Sequence, residues 1–157
     1  MIRIQLDTIE EMQVFGNLLA AMLREGDVIT LDGQLGAGKT TLVQMIARAL
    51  HTSQEAVSPT FSLVNIYEGD RKLNHLDLYR LESEEELESF EFEDYFYPED
   101  SITLIEWSTR TPSYLPKQRL EMEIEVGERG DRRIILRDPA GRFEKLIERL
   151  TDEYPVN

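Results

Sequence analysis

The sequence predicts an α/β fold in one domain spanning 1–157: a sheet, part parallel and part antiparallel, with helices on both faces. Three observations carry this. Val28-Ile29-Thr30-Leu31 is a β-rich run feeding a glycine-rich loop, and Thr41 to Leu50 follows with apolar residues at helical spacing. A second short apolar run, Ile102-Thr103-Leu104-Ile105, reads as a buried central strand. Leu120, Met122, Ile124 and Val126 alternate with Glu121, Glu123 and Glu125, which is the period of a half-buried strand.

The elements follow in order. Ile2 to Leu6 alternates like an edge strand. Glu10 to Leu23 places Met12, Phe15, Leu18, Leu19, Met22 and Leu23 on one helical face and stops near Gly26. After the strand–loop–helix unit, His51 to Ser58 is a polar connection. Ser62 to Glu68 reads as a strand, closed by a turn at Gly69-Asp70, with Leu73 to Leu78 as its antiparallel partner. Ser83 to Phe90 predicts a short helix, with Ser83 as N-cap and Glu86 completing a capping box. Pro112 and Pro116 mark a loop. Gly127 to Gly130 turns the strand at 120–126 into a returning arm at Arg133 to Arg137, and Gly141 to Leu150 predicts a final helix.

Composition narrows the function classes. Charged residues are 31% and apolar residues 41%, a balance of water-soluble domains. No run of 18 apolar residues predicts a membrane span. Met1 to Asp7 lacks the basic and apolar parts of a signal peptide, so a cytoplasmic location is expected. There is no cysteine, which excludes disulfides and thiolate metal sites. Net charge is −14, so the chain opposes a polynucleotide backbone, and any RNA is expected to be reached through another protein. Residues 81–100 hold ten Asp or Glu and no Lys or Arg. That run is either a solvated acidic face or a docking surface for a basic partner.

The chemistry centres on Gly33-Gln34-Leu35-Gly36-Ala37-Gly38-Lys39-Thr40, which fits the phosphate-binding pattern G-x-x-x-x-G-K-[ST]. In this pattern glycines let successive N–H groups point at phosphate, the lysine reaches the β- and γ-phosphates, and the hydroxyl of the last residue holds Mg²⁺. The predicted nucleotide-contacting set is Gly33, Leu35, Gly36, Ala37, Gly38, Lys39, Thr40 and Thr41. A nucleotide triphosphatase also needs an acid at a neighbouring strand end. Glu106, ending the run 102–105, and Asp77, ending the run 73–76, are both candidates for Mg²⁺ and for catalysis. Ser58-Pro59-Thr60 lies where related folds carry a switch, which makes Thr60 a further catalytic candidate. Trp107 is either core packing or a cover for the nucleotide. Arg80 is either a phosphate clamp or the partner of a nearby acid. His51 and His75 read as structural, because nothing near them completes a metal set. The absence of an N-K-x-D run favours ATP over GTP.

Gly33 to Thr41, then Ser58-Pro59-Thr60-Phe61-Ser62-Leu63-Val64, then His75-Leu76-Asp77-Leu78-Tyr79-Arg80-Leu81, then Ile105-Glu106-Trp107 resemble the TsaE family. These four motifs stand in one order over roughly half the chain. The resemblance implies a small ATPase needed to make threonylcarbamoyladenosine in tRNA, using ATP and Mg²⁺. It implies action on a complex of TsaB and TsaD proteins rather than direct tRNA modification. It further implies that Lys39 and Thr40 bind ATP and Mg²⁺, that Asp77 and Glu106 serve the metal and hydrolysis, that 58–60 is a switch, and that Trp107 lies beside the nucleotide. Two positions depart from the family pattern: Gln34 where Asp is usual, and Ser108 where Pro is common. The competing readings are a small-molecule kinase, which needs an arginine-bearing lid, and a nucleotide-sensing module with negligible turnover.

Overall fold

The structure is a computed structural model, and it describes residues 1–59 and 63–155. Among the described residues, seven strands form one sheet: β1 (Ile2–Leu6), β2 (Val28–Gly33), β3 (Val64–Tyr67), β4 (Lys72–Asp77), β5 (Ser101–Glu106), β6 (Leu120–Val126) and β7 (Arg132–Arg137), in the order β1-β7-β6-β2-β5-β4-β3. β2 runs parallel to both β5 and β6, and β4 runs parallel to β5. β1–β7, β6–β7 and β3–β4 are antiparallel. The four parallel strands therefore end at one edge of the sheet, where loops in such folds collect their ligands.

Among the described residues, four α-helices complete the fold: α1 (Ile9–Met22), α2 (Lys39–Ala49), α3 (Glu93–Phe96) and α4 (Glu144–Glu153). The cover of the two sheet faces is unequal. Phe15 and Leu19 of α1, Leu42 and Ile46 of α2, and Leu146 and Leu150 of α4 share one core with Ile29, Leu31, Leu104, Met122 and Ile134 of the sheet. The alternate residues Val28, Leu76 and Ile105 point to the other face, and meet Leu87 and Phe96 from a 3₁₀ turn (Glu84–Ser89) and from α3. The acidic run is thus anchored by its apolar residues: Leu87 and Phe96 are fully buried, while Glu82, Glu85, Glu88, Glu91, Glu93, Asp94, Glu99 and Asp100 are exposed. Beyond β2 this second face carries Glu121, Glu123 and Glu125 on β6, of which Glu123 and Glu125 pair with Arg137 and Arg133 of β7.

Local chemistry explains where the element boundaries moved. α1 begins at Ile9 because Thr8 Oγ1 accepts the Glu11 N–H at 3.1 Å, while Glu11 turns back to accept the Asp7 N–H at 2.5 Å. The capping box predicted at Ser83 and Glu86 does not form. Glu86 N–H instead donates to the Ser83 carbonyl at 3.3 Å, the short-range bond of a 3₁₀ turn, and the Ser83 side chain makes no cap bond. The last helix starts at Glu144 rather than Gly141. Gly141 has φ +76°, which cannot open a right-handed helix, and the Asp138 carboxylate holds the Phe143 N–H at 2.9 Å. The strand predicted from Ser62 is described from Val64 onward. Ser62, and with it Thr60, lies outside the described residues. No helix among the described residues is long and apolar enough to cross a membrane.

Candidate nucleotide site

β2 delivers the chain into the loop, and α2 takes it away. Gly33 sits against β6, where a Cβ would come within 2.5 Å of the Ile124 carbonyl oxygen, so no larger residue fits without moving that strand. Gly38 has φ +105° and stands at the N-cap of α2, a conformation that L side chains rarely adopt. These constraints leave the first N–H groups of α2 facing the loop mouth, an anion-binding arrangement. Arg132 of β7 fastens the loop from the side: its Nε donates to the Ala37 carbonyl at 2.7 Å.

Lys39 is nearly buried, at 5% exposure. Its ammonium donates to the carbonyls of Gly33 at 2.6 Å and Gln34 at 2.9 Å, and lies 4.2 Å from the centre of the Trp107 ring. Burial holds this ammonium below the usual lysine range, opposed by the charges of Glu106, Asp32 and Asp77.

The candidate acids arrive by register. Glu106 of β5 lies opposite Leu31 of β2 on one side and Asp77 of β4 on the other. Thr40 Oγ1 is 3.1 and 3.2 Å from the two carboxylate oxygens of Glu106 and 3.0 Å from Ser58 Oγ. Asp77 is only partly buried and accepts the Tyr79 N–H at 3.1 Å. Burial raises its pKa, the Glu106 charge adds to that, and the Tyr79 N–H, His75 and Lys39 act in the opposite direction. Lys39, Thr40, Asp77, Glu106 and Trp107 therefore converge. Leu35 is 75% exposed at the tip of the loop, which leaves its backbone N–H rather than its side chain to meet a phosphate. Arg80 is exposed on the loop after β4.

Two contributors, Arg132 and Asp32, were not singled out from the sequence, and a third, His75, was read there as structural only. His75 is fully buried, with Nε2 2.5 Å from Glu106 Oε2. Arg132 carries no motif, and only the hairpin register brings it to the loop. Asp32 stands one residue before the loop, and its carboxylate accepts the Ser108 hydroxyl at 2.5 Å. Burial raises the Asp32 pKa, against which the Ser108 hydroxyl, the N–H groups of Thr109 and Ser108, and Lys39 all act. Asp32 thereby ties down the turn after β5, in which Trp107 adopts φ +58°, its ring centre 4.9 Å from that of Tyr79 and the planes tilted by 50°. Ser108, one of the two departures from the family pattern, supplies one of these ties.

The donor set suits Mg²⁺. That ion prefers hard oxygen ligands and is usually held by one or two carboxylates together with the phosphates of its nucleotide. Thr40, Glu106, Asp77 and Ser58 present only oxygen here, and no group of three His, Cys, Asp or Glu able to hold a metal unaided exists among the described residues. Beside the loop, Thr8, Ile9, Met12, Gly38, Thr41 and Arg132 line much of a cavity of about 140 Å³.

The family model described as "Threonylcarbamoyl adenosine biosynthesis protein TsaE" matches residues 6–134. The tRNA threonylcarbamoyladenosine biosynthesis protein TsaE of Bacillus subtilis is 36% identical over 143 residues, covering 90% of this chain and 89% of its own. The protein of that name from Nostoc is 46% identical over 121 residues, 74% of each chain. The crystal structure of Bacillus subtilis YdiB superposes with a TM-score of 0.80 at 29% identity, covering 97% of this chain and 95% of that one. With a family model spanning most of its length and a relative 36% identical over 90% of it, this chain belongs to the TsaE family.

Proposed function

We propose that this protein binds ATP with Mg²⁺ at the loop 33–41 and hydrolyses it to drive a complex of TsaB and TsaD proteins through the formation of threonylcarbamoyladenosine in tRNA. One observation carries the ATPase reading: the Thr40 hydroxyl, at the start of α2, meets the Glu106 carboxylate at 3.1 Å. A loop for phosphate and a buried acid for metal and water thus share one point. Mg²⁺ bound there would neutralise charge on the β- and γ-phosphates.

The remaining work falls to the chain's own groups. Lys39 exchanges two neutral carbonyl acceptors of its own loop for anionic phosphate oxygens, so that both partners of each hydrogen bond carry charge. The loop amides and the Lys39 ammonium are fixed before reaction, so they stabilise developing charge without reorganising. Glu106 and Asp77 orient water and metal, Ser58 to Thr60 senses the γ-phosphate, and Trp107 closes over the nucleotide. The cavity beside Gly38 and Thr41 is the place for the adenine base.

The kinase reading loses support from the arginines. Arg132 is committed to the Ala37 carbonyl, Arg133 to Glu125 and Arg137 to Glu123, all on the β6–β7 hairpin, which leaves none of the three to a lid. Phosphate release from ATP by the isolated protein, and again with TsaB and TsaD added, tests the proposal. Turnover that is weak alone and rises with the partners supports it. Tight ATP binding without turnover, even in the partners' presence, favours the sensing module, and phosphate found on a metabolite favours the kinase.

A further inference from the structure

Glu106 is a carboxylate with 2% exposure, and a buried carboxylate needs donors. Thr40 has one hydroxyl proton to offer it, and that hydroxyl also faces Ser58 at 3.0 Å. The other donor is His75. Its Nε2 lies 2.5 Å from Glu106 Oε2, and since an ionised carboxylate only accepts, Nε2–H donates. His75 reaches Glu106 because β4 and β5 run in parallel, and it stands two residues before Asp77 on the same face of β4.

Simple packing does not account for this imidazole. Its Nδ1 is buried without a hydrogen-bond partner, a penalty that an apolar side chain of similar shape would avoid. A metal ligand is no better account, because Nε2 is engaged with Glu106 and Mg²⁺ favours oxygen.

We propose that His75 is a positioning residue for Glu106. It pins one carboxylate oxygen, so that the acid keeps its orientation toward the Thr40 hydroxyl when that hydroxyl turns its lone pair to Mg²⁺. The role is that of an outer partner which orients a metal-site carboxylate; loss of such partners typically weakens metal affinity or activity about 10–100-fold. The inference rests on the ATP and Mg²⁺ reading above.

The test uses the full chain and its only tryptophan, Trp107, whose ring lies beside Lys39. Trp107 fluorescence is followed as Mg²⁺ is titrated into the protein saturated with ADP, for wild type, H75F and H75Q. Phe keeps an aromatic ring of somewhat larger size and removes the donor, whereas Gln carries an amide N–H at a reach close to that of Nε2. We expect H75F to weaken apparent Mg²⁺ affinity at least tenfold, with ADP affinity in EDTA within about twofold of wild type, and H75Q to recover most of the loss. In hydrolysis assays, H75F should lower kcat more than it raises KM for ATP. Wild-type Mg²⁺ affinity in a folded H75F protein overturns the proposal, as does H75Q failing to the same degree as H75F. If H75F does not fold, H75Q is compared with H75N, whose shorter amide reaches only as far as Nδ1: a difference in Mg²⁺ affinity in favour of Gln supports the role, and equal values overturn it. A wild-type protein that binds ADP in EDTA but gives no Mg²⁺-dependent signal removes the metal reading and this role with it. Wild-type Mg²⁺ linkage alongside an unaffected H75F removes only the role of His75.

Discussion

Lys39 and Glu106 divide the proposed chemistry between them, and their variants should fail in different ways. K39A removes the cation between the β- and γ-phosphates, so ATP affinity or turnover should fall at least tenfold, about 1.4 kcal/mol or more, while circular dichroism and Tm stay close to wild type. Unchanged turnover in the folded variant would contradict the site. E106A and D77A remove groups that matter most in the transition state, so kcat should drop more than ATP affinity. Steady-state kinetics beside equilibrium binding separates the two, and normal hydrolysis in both variants would show that neither acid serves the reaction. D32N should be milder. It keeps an acceptor for Ser108 but loses the charge that supports the turn under Trp107, so the fluorescence response to nucleotide should shrink more than kcat. An unaltered response would detach Asp32 from the site. The loop residues and both acids were legible because a glycine pattern and a strand-end acid are local signals. His75, Arg132 and Asp32 were not. Their roles depend on β4–β5 and β6–β7 register and on a turn closed across 76 residues, and no local pattern encodes those.

Among the elements, the segment from the 3₁₀ turn through α3 holds two opposed features. Its apolar residues Leu87 and Phe96 close the second core, and its acids face water or partners. F96A should therefore destabilise the domain by about 3–5 kcal/mol, readable as a shift in the urea midpoint, because the ring is fully buried. Replacing several exposed acids among Glu82 to Asp100 with amides should leave that midpoint nearly unchanged. If the segment docks on a basic partner, the same variants should weaken association, and wild-type association should slow as salt rises. Normal binding by the amide variants would leave this as a solvated face alone. The strands and long helices here were readable from period-2 and period-3.6 patterns. The 3₁₀ turn was read as a capped helix because Ser83-x-x-Glu86 is a capping signature, yet Ser83 makes no side-chain bond in the folded chain. The one-turn helix α3 is too short for any periodicity to show.

The molecule as a whole combines a parallel centre, which brings the glycine-rich loop and the two acids to one edge, with a net charge of −14. The fold class was legible from the strand–loop–helix unit and the acidic hairpin. The unequal helical cover of its faces was not, because helix placement is a tertiary choice. That charge predicts weak affinity for free tRNA and tighter engagement of protein partners. Partner affinity should be higher with ATP than with ADP, since Ser58 touches Thr40 and the segment that follows can register the γ-phosphate. Tight binding of free tRNA would overturn the claim that RNA is reached through another protein. The central claim, an ATPase built where Thr40 meets Glu106, is tested most directly by measuring phosphate release from ATP with TsaB and TsaD present, for wild type, K39A and E106A. Magnesium-dependent turnover in the wild type, lost by at least tenfold in both folded variants, is the predicted result; turnover that survives either substitution, or is absent from the wild type, would contradict it.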